Sequence, residues 1–328
     1  MNLLIVVRHQ FDLWSVPSWF GERLVQEFPQ LKIAHRNGYE GAEQELRGAE
    51  IIFSTSLRPE QFALARNLRW IHAPSAAVHQ LLSAKLVTSD VVVTNSREVH
   101  GPVVAEHVLA LIFALAKKIP QAAVLQHRHI WGQEAIWKEG VHPREIAGAT
   151  LGLVGVGSIG RRVAQRAAAL GMRTIAVREH VEKETPEGVE EVFPASALDE
   201  VLKQSDYVAL AAPLISATKG LINAARLAVM KPSACLINVG RGAQVDEAAL
   251  VEALRARRIA GAALDVFENE PLPEDSPLWC VENLLITPHT AGLTEKLWHR
   301  HYELFSDNLR RYVAREPLRD VVDKQKGY

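Results

Sequence analysis

The 328-residue sequence contains only two cysteines, Cys235 and Cys280. Two cysteines cannot build a disulfide framework or a cysteine-based zinc module, so we expect a protein of a reducing compartment. Long apolar runs are absent as well. The N-terminal run Leu3–Val7 is too short for the apolar core of a secretory signal. The richest apolar stretch, Val103–Ala116, is interrupted by Glu106 and is too short to span a bilayer.

The sequence has no excess of charge of either sign, because 37 Lys and Arg residues are matched by 38 Asp and Glu residues. Nucleic-acid-binding proteins normally show a basic excess or stripe, so no nucleic-acid partner is expected. No HExxH pattern is present, and no metal site is predicted. The chain contains 48% hydrophobic and 23% charged residues, as in ordinary globular proteins. We therefore predict a cytoplasmic protein that binds no membrane.

Short apolar runs alternate with amphipathic segments along most of the chain. Their nearly continuous apolarity is typical of parallel strands buried on both faces. The alternation of such runs with helical patterns predicts doubly wound α/β sheets. The predicted strands are Leu3–Val7, Leu31–His35, Ile51–Phe53, Leu68–His72, Val91–Thr94, Leu151–Val154, Arg173–Val177, Tyr207–Leu210, Ala234–Asn238, Gly261–Leu264 and Leu284–Ile286.

Two longer helical segments, Pro102–Ala116 and Thr294–Val313, lie where this pattern restarts or ends. We interpret them as the places where the chain crosses between two domains. The length of the chain also favours about two domains. The predicted boundaries are 1–98 plus 293–328 for a domain built from both chain ends, and 99–292 for a central domain. The polar tail, 319–328, is expected to be loosely held.

A glycine-rich turn follows the predicted strand Leu151–Val154 and opens a helical pattern. Its residues are Gly155, Val156, Gly157, Ser158, Ile159 and Gly160. In this GxGxxG setting, Gly155 permits a tight turn, Gly157 lets a pyrophosphate approach the backbone, and Gly160 lets the helix pack on its strand. The free N–H groups at the start of the helix would face the anion. The turn therefore predicts a dinucleotide site, with a ligand-free glycine turn as the alternative.

Arg178 ends the second strand of the predicted dinucleotide-binding unit. Sites that bind NAD usually have Asp or Glu here, to accept hydrogen bonds from the ribose hydroxyls. A guanidinium suits a 2′-phosphate better, so Arg178 favours NADP, with NAD still open. Glu179 follows immediately and could oppose the phosphate. The alternative is that Arg178 is a solvated loop residue.

Three further predicted strands end in polar groups. In open α/β sheets, ligands bind outside the carboxyl ends of the strands, so these groups should face one crevice. An arginine, a carboxylate and a histidine there supply an anion clamp, an orienting group and an acid–base group, which suits reduction of a carbonyl beside a carboxylate. The three segments are Leu236–Gly242, Ala263–Pro273 and Thr287–Gly292.

These segments resemble the motifs of the D-isomer-specific 2-hydroxyacid dehydrogenase family. The resemblance covers essentially the whole chain and is densest from Val104 to Gly292. It implies a Rossmann domain at 99–292 and a flavodoxin-like substrate domain at 1–98 plus 293–328. It also implies NAD(P)-dependent reduction of a small 2-oxoacid to the D-2-hydroxyacid, and a homodimer formed through the cofactor domain. The matching motifs are Gly148–Gly171, Asn238–Asp246, Asp265–Pro271 and Pro288–Gly292.

The resemblance also implies roles for individual residues. Arg241 would hold the substrate carboxylate and carbonyl, since a guanidinium can form bidentate charge-assisted bonds. His289 would donate the proton to the carbonyl oxygen. Glu270 would bond the other ring nitrogen of His289; Glu268 is a rival, but the family's spacing of five from the aspartate selects Glu270.

Cofactor and substrate contacts follow from the same resemblance. The loop Ser75, Ala76 and Ala77 would bind the substrate carboxylate through backbone N–H groups. It departs from the family, which often has Gly-Val-Asp where this chain has Ala77, Val78 and His79. Beyond the glycine-rich turn and Arg178, the expected cofactor neighbours are Ala212, Pro213, Thr218, Val239, Gly240, Arg241, Asp265, His289, Ala291 and Gly292.

The motifs leave two alternatives to a 2-oxoacid reductase. One is a binding protein of the same fold that senses dinucleotide, as corepressors similar to this family do. The other is formate dehydrogenase, which Glu270 argues against because that branch has glutamine there. The histidine pairs His127/His129 and His299/His301 are expected to be solvated, because residues two apart do not share one helix face. Cys235 is expected to be a buried small apolar residue.

Overall fold

The computed structural model describes residues 1–138 and 140–327. The chain divides into two compact units. Unit 1 contains residues 1–100 together with the chain from Thr294 onwards, and unit 2 is Gly101–Leu293. The strands are β1 Asn2–Val6, β2 Lys32–Arg36, β3 Ile51–Ser54, β4 Trp70–Ala73, β5 Val92–Asn95, β6 Thr150–Val154, β7 Arg173–Val177, β8 Glu191–Phe193, β9 Tyr207–Leu210, β10 Cys235–Asn238, β11 Gly261–Leu264 and β12 Leu284–Ile286.

The helices alternate with these strands. They are α1 Ser18–Glu27, α2 Glu43–Gly48, α3 Pro59–Leu64, α4 Ala84–Val87, α5 Gly101–Ala116, α6 Ile119–His127, α7 Gln133–Lys138, α8 Ser158–Ala169, α9 Leu198–Gln204, α10 Ala224–Val229, α11 Glu247–Arg255 and α12 Leu297–Ala314. Short 3-10 turns lie at Asp12–Trp14, Ala195–Ala197, Gly242–Gln244 and Pro277–Cys280. No single helix among the described residues has the length and apolar character to cross a membrane; α5 and α6 meet that test only as a pair bent by 65°.

Unit 1 contains a parallel five-stranded sheet in the order β2-β1-β3-β4-β5. This order is the flavodoxin-like arrangement, so the fold predicted for this part of the chain is confirmed. An aromatic cluster fills the space between the sheet and α12, where Phe20, Phe53 and Phe305 are fully buried. The C-terminal helix therefore completes the core that the N-terminal strands begin.

His301 lies within this core, and the prediction that it is solvated is wrong. Its side chain is buried, and its Nδ1 lies 3.0 Å from the hydroxyl of Ser96. His72 approaches the same hydroxyl through Nε2 at 3.1 Å. Burial lowers the pKa of His72 to about 3, and it lowers the pKa of His301 well below its ordinary value.

The C-terminal tail is also more firmly held than its polar composition predicts. Val321 forms an antiparallel bridge with Thr94, and Val322 is buried and donates its N–H to the carbonyl of Val93 at 2.8 Å. The ammonium of Lys324 donates to the carbonyl of Val91 at 3.0 Å. These contacts fix residues 321–324 beside β5.

Unit 2 contains a parallel seven-stranded sheet in the order β12-β11-β10-β9-β6-β7-β8. The order reverses at β6, which is the Rossmann topology, so the predicted fold of the central part is confirmed. Helices pack on both faces, and apolar residues of α5 and α8 pack against the strands in one of the two cores. The Asp246 carboxylate caps α11 by accepting the N–H of Ala249 at 3.0 Å, as expected from the sequence.

Candidate active site

The groups singled out in the central motifs lie along one edge of the seven-stranded sheet. The glycine-rich turn follows β6, Ala212 follows β9, the Arg241 turn follows β10, the Asp265 segment follows β11, and His289 follows β12. In the sheet order these strand ends are consecutive neighbours. A parallel sheet therefore brings together residues that are far apart in the chain, at the edge where ligands bind in such folds.

The glycine-rich turn has the geometry that a dinucleotide phosphate needs. Gly155 has φ +96°, and a Cβ there would lie 2.8 Å from the backbone of Ala212. A Cβ at Gly160 would lie 2.1 Å from the carbonyl oxygen of Gly155, so α8 packs directly on the turn. A Cβ at Gly157 would meet nothing within 4 Å, which leaves open space in front of the backbone where α8 begins. The turn therefore fits a bound pyrophosphate.

Arg178 lies at the end of β7, as predicted, but its guanidinium is turned onto its own loop. It donates to the carbonyls of Lys183 and, at 3.1 Å, Glu184. Its Nε is buried without a hydrogen-bond partner among the described residues. The guanidinium is thus held by its own loop, and its Nε donor is left unsatisfied.

The turn that carries Arg241 is held by two buried side chains. Asn238 accepts the N–H of Gly240 at 3.0 Å and donates to the carbonyl of Arg241 at 3.0 Å. Gln244 accepts the N–H of Arg241 at 3.0 Å and donates to the carbonyl of Ala212 at 3.2 Å. These contacts tie the ends of β9 and β10 together and fix the backbone of Arg241.

Gly242 places this turn against the acidic segment that follows β11. A Cβ at Gly242 would lie 1.8 Å from the carbonyl carbon of Phe267, so only glycine permits the two segments to touch. Burial lowers the pKa of the Arg241 guanidinium, and the charge of the nearby Glu270 carboxylate opposes that shift. Arg241 and Glu270 are therefore close enough to interact electrostatically, and the arginine stays charged.

His289 and Glu270 form the pair that the family resemblance implies. The Nδ1 atom of His289 lies 2.6 Å from Oε2 of Glu270, and Oε1 of Glu270 accepts the N–H of Phe267 at 2.9 Å. The carboxylate is thus fixed at both oxygens, and the imidazole Nε2 is left for another partner. Glu268, the rival considered from the sequence, has its backbone N–H bound by the Glu247 carboxylate at 2.7 Å.

Asp265 holds the backbone of the segment that carries His289. Its buried carboxylate accepts the hydroxyl of Thr287 at 2.6 Å, the N–H of Thr290 at 2.8 Å and the N–H of Ala291 at 3.1 Å. The backbone N–H of His289 donates to the carbonyl of Asp265 at 2.9 Å. His289 itself has φ +51°, an uncommon conformation for a residue with a side chain. The segment is therefore held in place by several bonds from one aspartate.

His107 and Glu247 also reach the site, although they were not assigned to it from the sequence. His107 of α5 lies with Nε2 3.1 Å from the Thr287 hydroxyl. Burial raises the pKa of Glu247, the N–H of Glu268 opposes that shift, and the carboxylates of Glu268 and Glu270 add to it. The sequence offered little signal for His107, since its partner lies 180 positions away.

The predicted substrate loop lies in unit 1, directly after β4. Its conformation is fixed by Ser75, whose hydroxyl donates to the carbonyl of Ala77 at 2.6 Å, and by Asn95, whose amide donates to the carbonyl of Ala76 at 2.9 Å. Within the described chain, the backbone N–H groups of Ala76 and Ala77 donate no hydrogen bond. The loop thus presents two free donors.

The remaining cofactor-neighbour predictions fall at the same sheet edge of unit 2. Pro213 accepts the hydroxyl of Thr218 at 2.7 Å, and Val239 and Ala291 are buried. Across the described residues, no group of three His, Cys, Asp or Glu side chains could hold a metal ion. Cys235 is buried, and burial raises the pKa of its thiol.

The fold and this site together define a two-domain α/β oxidoreductase of the kind that takes a nicotinamide dinucleotide. The model of the D-isomer specific 2-hydroxyacid dehydrogenase NAD-binding domain matches residues 109–291. The chain belongs to the D-isomer-specific 2-hydroxyacid dehydrogenase family.

Individual relatives agree with this membership. D-3-phosphoglycerate dehydrogenase of Methanocaldococcus jannaschii is 30% identical over 92% of this chain, which spans only 57% of that relative's length. A 2-hydroxyacid dehydrogenase of Xanthobacter autotrophicus Py2, solved with NADPH and MES, has a TM-score of 0.81 and 32% identity, and the match covers 99% of both chains. The NADPH-dependent glyoxylate/hydroxypyruvate reductase of Sinorhizobium meliloti, solved with NADP and sulfate, has a TM-score of 0.80 and 27% identity, and the match covers 100% of both chains. These relatives are dehydrogenases and reductases, so the dinucleotide-sensing alternative is not favoured.

Proposed function

We propose that this chain reduces a small 2-oxoacid to the D-2-hydroxyacid with NAD(P)H. The observation that carries the proposal is the 2.6 Å contact between His289 Nδ1 and Glu270 Oε2, beside an arginine whose turn is fixed by buried side chains. This arrangement offers a proton donor and a cation to one carbonyl group. When bound, the reduced nicotinamide supplies the hydride.

His289 acts in this proposal as the general acid. With Nδ1 bound to Glu270, its Nε2 carries the proton that goes to the carbonyl oxygen of the substrate. The Glu270 carboxylate fixes the ring orientation and stabilises the imidazolium by its charge. In the reverse direction, neutral His289 takes the proton back from the hydroxyl group.

Arg241 holds the substrate in the same proposal. A guanidinium offers planar, paired donors, which match a carboxylate and its neighbouring carbonyl oxygen better than an ammonium does. The free backbone N–H groups of Ala76 and Ala77 are proposed to bind the carboxylate as well. Ser75 supports them because its hydroxyl donates to the carbonyl of Ala77 and so fixes the loop.

The residues proposed to hold the cofactor are those of the sheet edge in unit 2. The N–H groups of Ser158, Ile159 and Gly160 at the start of α8 would bind the pyrophosphate, next to the open space at Gly157. The nicotinamide half would lie along the ends of the later strands, at Ala212, Pro213, Thr218, Val239, Gly240, Asp265, Ala291 and Gly292.

We further propose that NADP is preferred to NAD, because Arg178 stands where NAD-binding sites have an acid. Its buried, unpartnered Nε supports this, since a 2′-phosphate could satisfy the guanidinium better than the carbonyls it now contacts. Charge-assisted hydrogen bonds are worth about 1.5–3 kcal/mol, so a preference of about tenfold or more is expected. The ratio of kcat/KM for NADPH and NADH should fall in Arg178→Asp. Equal use of both cofactors by the parent, with no change in the variant, would refute this reading of Arg178.

The substrate class is proposed from the charged groups of the site and from the relatives. Because the Sinorhizobium relative is named a glyoxylate/hydroxypyruvate reductase, glyoxylate and hydroxypyruvate are the first substrates we propose.

A homodimer is also proposed. Exposed apolar side chains on and around α6 and α7 support it, with Trp131 92% and Trp137 58% exposed, and light scattering in solution would test it. The cytoplasmic location remains a prediction from composition.

A substrate panel with both cofactors tests the proposed reaction. The parent should reduce at least one of pyruvate, glyoxylate and hydroxypyruvate, and His289→Ala should lower kcat by about 10²–10⁴-fold while NADPH still binds. A parent that binds NADPH but turns over none of these acids would instead support a binding protein. Unchanged turnover in His289→Ala would remove the proposed acid.

A further inference from the structure

A chain of hydrogen bonds leads from helix α5 to the segment that carries His289. The Nε2 atom of His107 lies 3.1 Å from the hydroxyl of Thr287, and that hydroxyl lies 2.6 Å from Oδ1 of Asp265. Asp265 in turn accepts the backbone N–H groups of Thr290 and Ala291. These two amides follow His289 in the chain, so His107 of α5 is linked to them through Thr287 and Asp265.

The direction of each bond follows from counting protons. An ionised carboxylate only accepts hydrogen bonds, so the Thr287 hydroxyl donates its single proton to Asp265. The hydroxyl oxygen must then accept from His107, which places a proton on His107 Nε2. Burial lowers the pKa of His107 while the Asp265 charge opposes that shift. Both protonation states carry the Nε2 proton in this geometry, so the contact does not depend on which is present.

The Thr287 hydroxyl therefore has one orientation available to it as long as His107 donates. Hydroxyl groups otherwise rotate to suit their neighbours. Asp265 is almost fully buried, at 1% exposure, and a buried carboxylate that loses a donor is costly. If His107 did not donate, Thr287 would be freer to turn away. Asp265 would then hold the Thr290 and Ala291 amides less tightly.

The backbone conformation of His289 depends on the hydrogen bonds that Asp265 makes to this segment. Its φ of +51° is sparsely populated, and such a conformation persists only where surrounding bonds enforce it. The enforcing bonds include the two amides held by Asp265 and the N–H of His289 itself, bound to the carbonyls of Asp265 and Thr287 at 2.9 Å each. A looser segment would let the imidazole leave the position in which Glu270 orients it.

We propose that His107 is a positioning residue for His289, acting through Thr287 and Asp265. This inference rests on the proposed function, in which His289 is the general acid. Among the described residues, no hydrogen bond or ion pair joins His107 to Arg241 or Glu270. Its loss should therefore affect the orientation of the acid rather than the binding of the substrate carboxylate.

Two variants of the same residue test the proposal. His107→Leu removes the donor, whereas His107→Gln retains an N–H at a similar reach and serves as the matched control. A neutral hydrogen bond is worth about 2- to 12-fold, so His107→Leu should lower kcat roughly in that range with the KM for the 2-oxoacid unchanged. His107→Gln should restore most of the loss. Thr287→Val should cost about as much, and its combination with His107→Leu should cost little more, since both remove one chain of bonds.

Hydrogen exchange in the cofactor-free protein supplies a readout that does not depend on turnover. In His107→Leu, the amides of 287–292 should exchange faster, while β6 and α8 keep the parent rate, and His107→Gln should restore the parent pattern. Unchanged exchange in 287–292, equal kcat in the Leu and Gln variants, or faster exchange throughout unit 2 would each overturn the proposal. An inactive parent would contradict the proposed function instead, because the exchange result stands without any activity.

Discussion

Replacing Glu270 by glutamine removes the negative charge beside His289 and changes little else. Glutamine has nearly the same size, and its carbonyl oxygen can still accept the Nδ1 proton that now lies 2.6 Å from Oε2. The orientation of the ring should therefore be kept. What is lost is the attraction between a carboxylate and an imidazolium, so the variant isolates the electrostatic part of the pair.

The expected effect can be worked out from the geometry. Opposite unit charges about 4 Å apart attract by about 1 kcal/mol in water and by about 4 kcal/mol at an effective dielectric constant of about 20. The side chains of His289 and Glu270 are 53% and 34% exposed, so solvent screening places the pair towards the lower value. We therefore expect an attraction of about 1–2 kcal/mol. Reduction requires the protonated ring, so the alkaline limit of the rate should move to lower pH when this attraction is lost.

The assay is the rate of NAD(P)H oxidation by the best 2-oxoacid across the pH range. Glu270→Gln should approach the parent rate on the acid side and fall earlier as the pH rises. Glu268→Gln is the matched control, because it makes the same chemical change two residues away, and in the described part of the chain His289 is bonded to the Glu270 carboxylate and not to that of Glu268. An alkaline limit that stays in place in Glu270→Gln, or that moves equally in Glu268→Gln, would refute the pairing.

Three further variants address other parts of the structure. Arg241→Lys keeps a positive charge but loses the planar pair of donors, so its kcat/KM should be lower by about tenfold or more. In Arg241→Ala, kcat/KM should be lower still. Gly160→Ala places a Cβ against the carbonyl of Gly155, so it should lower both the unfolding temperature and the affinity for NADPH. Gly157→Ala has open space in front of it and should lower the affinity alone. Thermal unfolding and fluorescence titration measure the two effects. The lowered pKa of His72 means that the unfolded chain binds more protons below about pH 6.5, so the free energy of unfolding should fall as the pH drops from about 6.5 towards about 3. Denaturant unfolding at several pH values should show this slope, and it should flatten in His72→Gln.

The alternation of apolar runs with helical patterns was enough to predict both sheets. In unit 2 each functional motif directly follows a strand, so one rule about parallel sheets places Arg241, Glu270 and His289 near one another. The strand missed was β8, Glu191–Phe193, which has three residues at the sheet edge and no residue that is fully buried. Such a strand carries too short an apolar pattern to be distinguished from a loop.

The wrong predictions in unit 1 have identifiable causes. His301 was judged by its spacing from His299, although its spacing from Leu297 and Phe305 places it on the apolar stripe of α12. The tail was judged by its polar composition, but backbone hydrogen bonds and one buried side chain, Val322, hold it. Backbone pairing leaves no mark in composition, so that second error could not be corrected from the sequence.

The residues that support the catalytic groups were not predicted from the sequence. His107 and Gln244 bind groups that are distant in the chain, Thr287 and Ala212, whereas Asn238 binds the backbone of its own turn. Any of these polar side chains could have been solvated instead. The resemblance implies that Asp265 lies near the cofactor, and the structure shows in addition that its carboxylate holds the segment of His289. A motif identifies residues with chemical roles, because chemistry demands particular side chains. The residues that hold them in place are constrained only by the folded geometry, and so only the structure reveals them.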